Sequence, residues 1–356
     1  MFKEQRIPIS INALDQEFQK KIKLVPGENQ TGVLDPLEME IMKNKVVNRK
    51  RMESPADALI RERNSCDRVV SNDMTEHFID EKALILDFSS YKLIGYLFSS
   101  EEVIQNAQMI LFVHGGGFTS GKIEYYRNQC RLLAERSHHK VLFIEYRLAP
   151  ENPYPAQVND IVRSVEYVLD CSETFQVSGE KVILVGDSAG GGIINGVVLK
   201  MTQEKISMIV ELYSVTDIDI IGNGKYRWDY GMYPIIKEQQ ELVYTRLDRF
   251  RNGTEQLMNY YLGNNREILM NADISINYAT NEQLRLFPRT LLIEAEYDFY
   301  RVGMDIFASR LLNNNINLSV IEYCGCDHGF IDHLGQSEQA YNAIDEISQT
   351  IIDELC

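Results

Sequence analysis

Several things are scarce in this chain of 356 residues, and each scarcity narrows what it can be. No segment approaches the roughly 20 consecutive apolar residues of a membrane span, so no spanning helix is expected. Six cysteines, Cys66, Cys130, Cys171, Cys324, Cys326 and Cys356, lie scattered without a CxxC pair, which argues against a disulfide framework or a zinc ribbon. Cys324 and Cys326 have only one flanking histidine, too little for a metal site, and neither a metal nor an organic cofactor is expected. Positive charge is also short: 36 Lys and Arg stand against 52 Asp and Glu, a formal net charge of −16. Such a surface repels phosphate backbones and anionic headgroups, so nucleic acid is not an expected partner. The first residues, Met1 to Arg6, mix charges of both signs and lead to Pro8 with no apolar run. That pattern lacks the features of a secretory signal, and a cytoplasmic location is the expectation. Repeats and low-complexity tracts are absent as well.

What is there is the composition of a soluble globular protein, with 44% apolar and 25% charged residues. From Leu14 to about Arg63 the pattern is charged and helical, with Leu37, Ile41, Lys45 and Asn48 at helix spacing and Pro26-Gly27 and Ser54-Pro55 as breakers. Two or three amphipathic helices are predicted within an N-terminal helical segment, residues 1–80. The basic stretch Lys43 to Arg51, with Lys45, Arg49 and Lys50, reads as a solvated face of one of them.

The period then changes. Ala83–Phe88, Leu93–Phe98 and Met109–Val113 read as strands, followed by short apolar runs at Val141–Glu145, Lys181–Val185, Met208–Tyr213, Thr290–Glu294 and Leu318–Glu322 separated by helix-like stretches. Short buried strands alternating with helices predict an α/β protein, a mostly parallel sheet covered on both faces, with ligands beyond the carboxyl ends of the strands. The core is expected over 81–216 and 286–356. Between them, 217–285 loses the alternation and contains helix-like pieces such as Glu238 to Phe250, which predicts a cap insertion over the sheet.

Chemistry concentrates at three places. The predicted strand Lys181–Val185 runs into Gly186-Asp187-Ser188-Ala189-Gly190-Gly191-Gly192 and then a helix-like stretch. A serine held on such a strand-turn-helix needs nearly side-chain-free neighbours two residues before and after it, and glycine fills both positions. A phosphate-binding loop would need a lysine that is missing here. Ser188 is therefore the predicted nucleophile. The second place is His114-Gly115-Gly116-Gly117-Phe118, directly after Met109–Val113. Consecutive glycines let backbone N–H groups approach a developing oxyanion, so Gly115, Gly116 and Gly117 are the candidate oxyanion hole, with Gly116 and Gly117 as lead donors joined by the N–H of Ala189.

The third place supplies a base and an acid. His328, in Gly325-Cys326-Asp327-His328-Gly329-Phe330 after the last predicted strand, follows the serine in the order that a Ser, Asp, His relay requires. His333 is expected to begin the terminal helix. Asp298, just past the strand Thr290–Glu294, is the predicted acid, with Glu296 as the alternative and Asp305 inside the next helix. Asp327 adjoins the histidine, but neighbours on extended backbone point apart. Substrate contacts are expected from Phe118, Asp187, Trp228 and Tyr230, within an aromatic cluster that includes Tyr226 and Tyr233.

Over roughly residues 80 to 356 these motifs resemble the hormone-sensitive-lipase-like family of α/β-hydrolases. The matches are HGGGF at 114–118, YRLAPE at 146–151, YPA at 154–156, GDSAGG at 186–191, Asp298, and DHGF at 327–330. The resemblance implies the α/β-hydrolase fold, a cap built from an N-terminal helical segment plus an insertion, and a carboxylesterase acting through an acyl-enzyme. It also implies that His114 orders the oxyanion loop and that 146–151 supports the site structurally. The N-terminal arm is longer than is usual in the family, and Ser214 stands where proline is frequent. A small, short-chain acyl or acetyl ester is the expected substrate, and a homodimer is one assembly considered. Amide or peptide hydrolysis by the same residues, and ligand binding without turnover, are the alternatives.

Overall fold

The computed structural model describes residues 2–9, 18–47, 54–64, 71–201, 203–220 and 228–355. Its N-terminal arm supplies strands β1 (Glu4–Ile9) and β2 (Phe18–Lys23) and helices α1 (Pro36–Val47) and α2 (Pro55–Asn64). There follow β3 (Ile79–Asp87), β4 (Lys92–Ser100), β5 (Met109–Val113), α3 (Ile123–Ser137), β6 (Lys140–Glu145), α4 (Ala156–Asp170) and the short α5 (Ser172–Phe175). Next come β7 (Val182–Asp187), α6 (Ala189–Lys200), β8 (Ile206–Leu212), α7 (Lys237–Leu262) and the short α8 (Asn281–Leu284). The chain closes with β9 (Arg289–Ala295), α9 (Arg301–Asn313), β10 (Leu318–Tyr323) and α10 (Glu338–Leu355).

Among the described residues the strands form one sheet in the order β1-β2-β10-β9-β8-β7-β5-β6-β4-β3. The seven strands from β2 to β6 in that order pair in parallel, and β1, β4 and β3 run antiparallel to their neighbours. The central strands β5 and β7 are buried at every position, as expected of parallel strands covered on both faces. One apolar layer packs α4 and α6 against the sheet, and the other packs α3 and α10.

The arm departs from expectation. Residues 1–80 were predicted as helical, yet β1 and β2 are strands that extend the sheet past β10. The sequence of β2, FQKKIK, shows little apolar alternation because two of its buried residues, Lys20 and Lys23, are charged. Lys20 of β2 is fully buried and meets Glu294 of β9, Glu322 of β10 and Asp305 of α9. Glu294 and Glu322 are register partners on adjacent strands, a repulsive pairing unless a cation enters between them. Burial alone would lower the Lys20 ammonium, but Asp305, Glu294 and Glu322 outweigh it and hold it above its usual value. A charge can thus specify a strand when carboxylates two elements away receive it.

The segment after β8 contains α7, a helix of 26 residues that packs on α1 and on the loops that follow β5 and β10. No helix among the described residues is long and apolar enough to cross a membrane. Arg49, Lys50, Arg51, Asn48, Leu14, Tyr226, Cys66 and Cys356 lie outside the described residues.

Candidate active site

The buried strand β7 delivers Ser188 onto a turn with φ 51° and ψ −119°, from which α6 departs. That backbone conformation costs on the order of 1–3 kcal/mol for a residue with a side chain. Close packing holds it there. A Cβ on Gly190 would lie 1.9 Å from the carbonyl oxygen of Val113, so only glycine lets α6 meet β5. The Ser188 N–H donates to Leu212 and its carbonyl accepts from Val215, locking the turn to β8.

The Ser188 hydroxyl donates to His328 Nε2 at 2.8 Å, and His328 Nδ1 donates to Asp298 Oδ2 at 2.9 Å. The second bond fixes the ring tautomer that leaves Nε2 free to accept. Asp298 is fully buried, and its other oxygen accepts the N–H of Tyr300 at 3.0 Å. Rings of Tyr213, Phe250 and Tyr300 surround the imidazole at 5.0, 4.8 and 5.7 Å. The alternative acid, Glu296, is occupied elsewhere: it accepts the N–H groups of Gly32 at 3.1 Å and Gly325 at 2.8 Å, and burial pushes its carboxyl up to about 7. His333 does not start the terminal helix, which begins at Glu338; it is buried in the preceding turn, 2.5 Å from Glu38 of α1.

The glycine loop after β5 divides the expected oxyanion donors. Gly115 is not available, because its N–H donates to Asp187 Oδ1 at 2.6 Å. Gly116 has φ 113° and a carbonyl that accepts from Thr119 and Ser120, a turn that a side chain would block 2.3 Å from the Ser120 oxygen. The N–H groups of Gly116 and Gly117 make no hydrogen bond among the described residues. Ala189 is the first residue of α6, where an N–H has no partner within the helix. Of the candidate oxyanion donors, Gly116, Gly117 and Ala189 thus keep an unengaged N–H, whereas that of Gly115 is taken.

The loop is braced from three sides. His114 stacks on Tyr146 at 4.1 Å, and the Tyr146 hydroxyl donates to the His114 carbonyl at 2.7 Å. Arg63 of α2 donates to the carbonyls of Thr119 and Ala149 at 2.7 and 2.8 Å and grips both oxygens of Glu151. From α7, Leu257 covers Gly117, and Tyr261 stacks on Phe118 at a ring separation of 3.7 Å.

The expected substrate contacts fare unevenly. Phe118 is 2% exposed and packs on Tyr261, so it is a core contact of the loop rather than a free pocket wall. Asp187 is also buried, and its carboxylate is taken by Gly115 and, at 3.3 Å, by the Tyr126 hydroxyl. Both were placed wrongly because the sequence does not show which way a side chain leaves a turn. Trp228 and Tyr230 are half-buried and in ring contact with each other. Trp228 donates to the Tyr233 hydroxyl at 2.9 Å and touches Phe299, while Tyr230 hydrogen-bonds Asp248. Through Phe299 and Tyr300 this cluster continues to His328.

Cys324 and Cys326 are buried free thiols, pushed well up by burial. Among the described residues no group of three or more His, Cys, Asp or Glu side chains is arranged to hold a metal ion.

A strained serine behind a buried parallel strand, facing a histidine backed by a buried aspartate, defines a hydrolase-type site. The chain belongs to the hormone-sensitive-lipase-like family of α/β-hydrolases: a family model described as alpha/beta hydrolase fold matches residues 110–332. A second model, described as steryl acetyl hydrolase, matches residues 2–211. Among curated relatives, neutral cholesterol ester hydrolase 1 of Mus musculus is 26% identical over 271 residues, covering 62% of this chain and 66% of that protein. Lipase 2 of a Moraxella species is 23% identical over 269 residues, covering 70% and 61%. The chain spans about three fifths to two thirds of the length of the curated relatives it matches. Among solved structures, one of the fungal esterases of Rhizomucor miehei has a TM-score of 0.71 at 19% identity, covering 92% of this chain and 98% of that one. A hyperthermophilic esterase of the archaeon Pyrobaculum calidifontis gives 0.72 at 20% identity, covering 90% and 98%.

Proposed function

We propose that the protein is a serine carboxylesterase that cleaves short-chain acyl esters, acetyl esters foremost, through an acyl-enzyme. The observation that carries this reading is the continuous relay from Ser188 through His328 to Asp298, at 2.8 and 2.9 Å, on the strained turn. His328 takes the hydroxyl proton as Ser188 Oγ attacks the ester carbonyl carbon, and the N–H groups of Gly116, Gly117 and Ala189 receive the oxyanion. The proton passes from His328 to the departing alcohol, leaving the acyl group on Ser188. Water, deprotonated by the same ring, then releases the carboxylic acid and restores the serine.

The acyl preference is supported by Leu257 lying over Gly117 and by the match of residues 2–211 to a steryl acetyl hydrolase model. The alcohol side is the half-buried aromatic face of Trp228 and Tyr230, backed by the buried Phe299 and suited to a bulky apolar alcohol. In this reading α1, α2 and the 217–285 segment are the cap.

The test is a panel of p-nitrophenyl esters from acetate to palmitate, run with matching anilides and with fluorophosphonate labelling. The reading predicts highest kcat/KM at acetate or butyrate, little anilide turnover and label at Ser188. Preference for long chains would overturn the acyl assignment. No turnover and no label would overturn the enzyme itself.

A further inference from the structure

The carboxylate beside the proposed base faces away from it, toward two cations on other elements. Asp327 is fully buried, and its Oδ2 accepts from Arg246 Nε at 2.5 Å, with Lys45 Nζ of α1 3.7 Å away. Arg246, on α7, is itself only 4% exposed. Its guanidinium lies 4.5 Å over the ring of Phe250, one turn further along the helix, and that ring contacts His328 at 4.8 Å. A single face of α7 thus grips this loop twice, by charge at the residue before the histidine and by a ring on the histidine itself.

We propose that Arg246 is a positioning residue for His328, acting through the Asp327 carboxylate, so that the seating of α7 both orients the base and balances the charge next to it. Burying an isolated arginine and an isolated aspartate would each cost several kcal/mol, and their pairing removes that cost only in the docked arrangement. Burial alone would raise the Asp327 carboxyl, but Arg246 and Lys45 outweigh it and keep it ionised. Asp298, Tyr213 and Tyr300 touch the imidazole, and behind them the Asp327 carboxylate acts on it through its charge, with Arg246 and Lys45 around that carboxylate. Of these, the Asp327–Arg246 pair contributes one charge of each sign, so removing either partner alone unbalances the site in opposite senses.

The inference rests on the proposed role of His328 as base. Its test is the pH dependence of p-nitrophenyl acetate hydrolysis, with rates normalised to sites titrated by fluorophosphonate. Arg246→Gln leaves the Asp327 charge compensated by Lys45 alone, stabilises the imidazolium and moves the acid limb of kcat/KM to higher pH by about half a unit. Asp327→Asn leaves the cations uncompensated and moves it to lower pH. The double variant Arg246→Gln/Asp327→Asn returns the limb toward wild type. Each single variant should also lose roughly tenfold in kcat/KM per titrated site through misplacement of the ring. A mere scaffold would change the amount of active protein and leave the limb where it was. Limbs that do not move, or that move the same way in both single variants, overturn the inference. Should Arg246→Gln fail to fold, Asp327→Asn alone decides it: a downward shift supports the coupling, and no shift or an upward one overturns it. His328→Ala separates the two claims, since activity retained there would overturn the base assignment itself.

Discussion

The two halves of the site are held by different physics. On the serine side, Gly190 meets β5 at a distance that no side chain tolerates, the Ser188 backbone is tied to β8, and the oxyanion loop is braced by stacked rings. On the histidine side, position depends on polar groups brought from other elements: Asp298 from the turn after β9, Arg246 from α7 and Lys45 from α1. Two carboxyls are buried on the serine side: Asp187 accepts from Gly115 and Tyr126, while Glu211 of β8 is pushed up by burial to about 8 despite a hydrogen bond from Asn195 at 3.2 Å. Burial favours the protonated acid at Glu211, whereas across the site Arg246 and Lys45 keep Asp327 ionised. Steric constraint places Ser188 without recourse to charge, while ion pairing ties His328 to the docking of the elements around it.

That contrast can be broken or sharpened by variants on each side. The largest effect is expected from Asp298→Asn, which keeps the shape but favours the wrong tautomer of His328: kcat should fall by roughly four orders of magnitude with the fold intact, as judged by circular dichroism. Near-normal turnover would remove Asp298 from the relay. Gly190→Ala should fail by the other physics, losing on the order of 3 kcal/mol in urea unfolding, because the new Cβ meets backbone and cannot rotate away. Unchanged stability would mean that the contact between α6 and β5 is softer than described.

Glu211→Gln should change how stability depends on pH, with a definite sign. In the wild type the folded state keeps this proton up to about pH 8, whereas the unfolded chain releases it near the ordinary carboxyl value. Folding stability therefore declines as pH rises through that window, by an amount on the order of a few kcal/mol. The glutamine variant lacks this loss, so its Tm should gain on the wild type between pH 5.5 and 8.5. A constant difference would mean that Glu211 is ionised throughout.

The same contrast explains what could be read from the sequence. Strands β5 to β10 announce themselves as apolar runs because most of their residues lie in the two apolar layers, and the elbow and glycine loop are legible because their requirements are local. Strands β1 and β2 were read as helix, since Lys20 makes sense only beside Glu294, Asp305 and Glu322, which lie more than 270 residues away in the chain. Gly115, Phe118 and Asp187 were given chemical roles because a motif tells which residues meet but not which amide or ring turns inward. Arg246 carried no signal at all, because one arginine in an amphipathic helix resembles any other until its partner is known.

The central claim is that Ser188 becomes acylated. Brief exposure of the protein to p-nitrophenyl acetate, followed by acid quench and peptide mass analysis, tests it directly. The account predicts a burst of p-nitrophenol matched by one acetyl group on the peptide that contains Ser188, and neither in Ser188→Ala. Product released from Ser188→Ala at the wild-type rate, or an acetyl group found on a different residue, would contradict it.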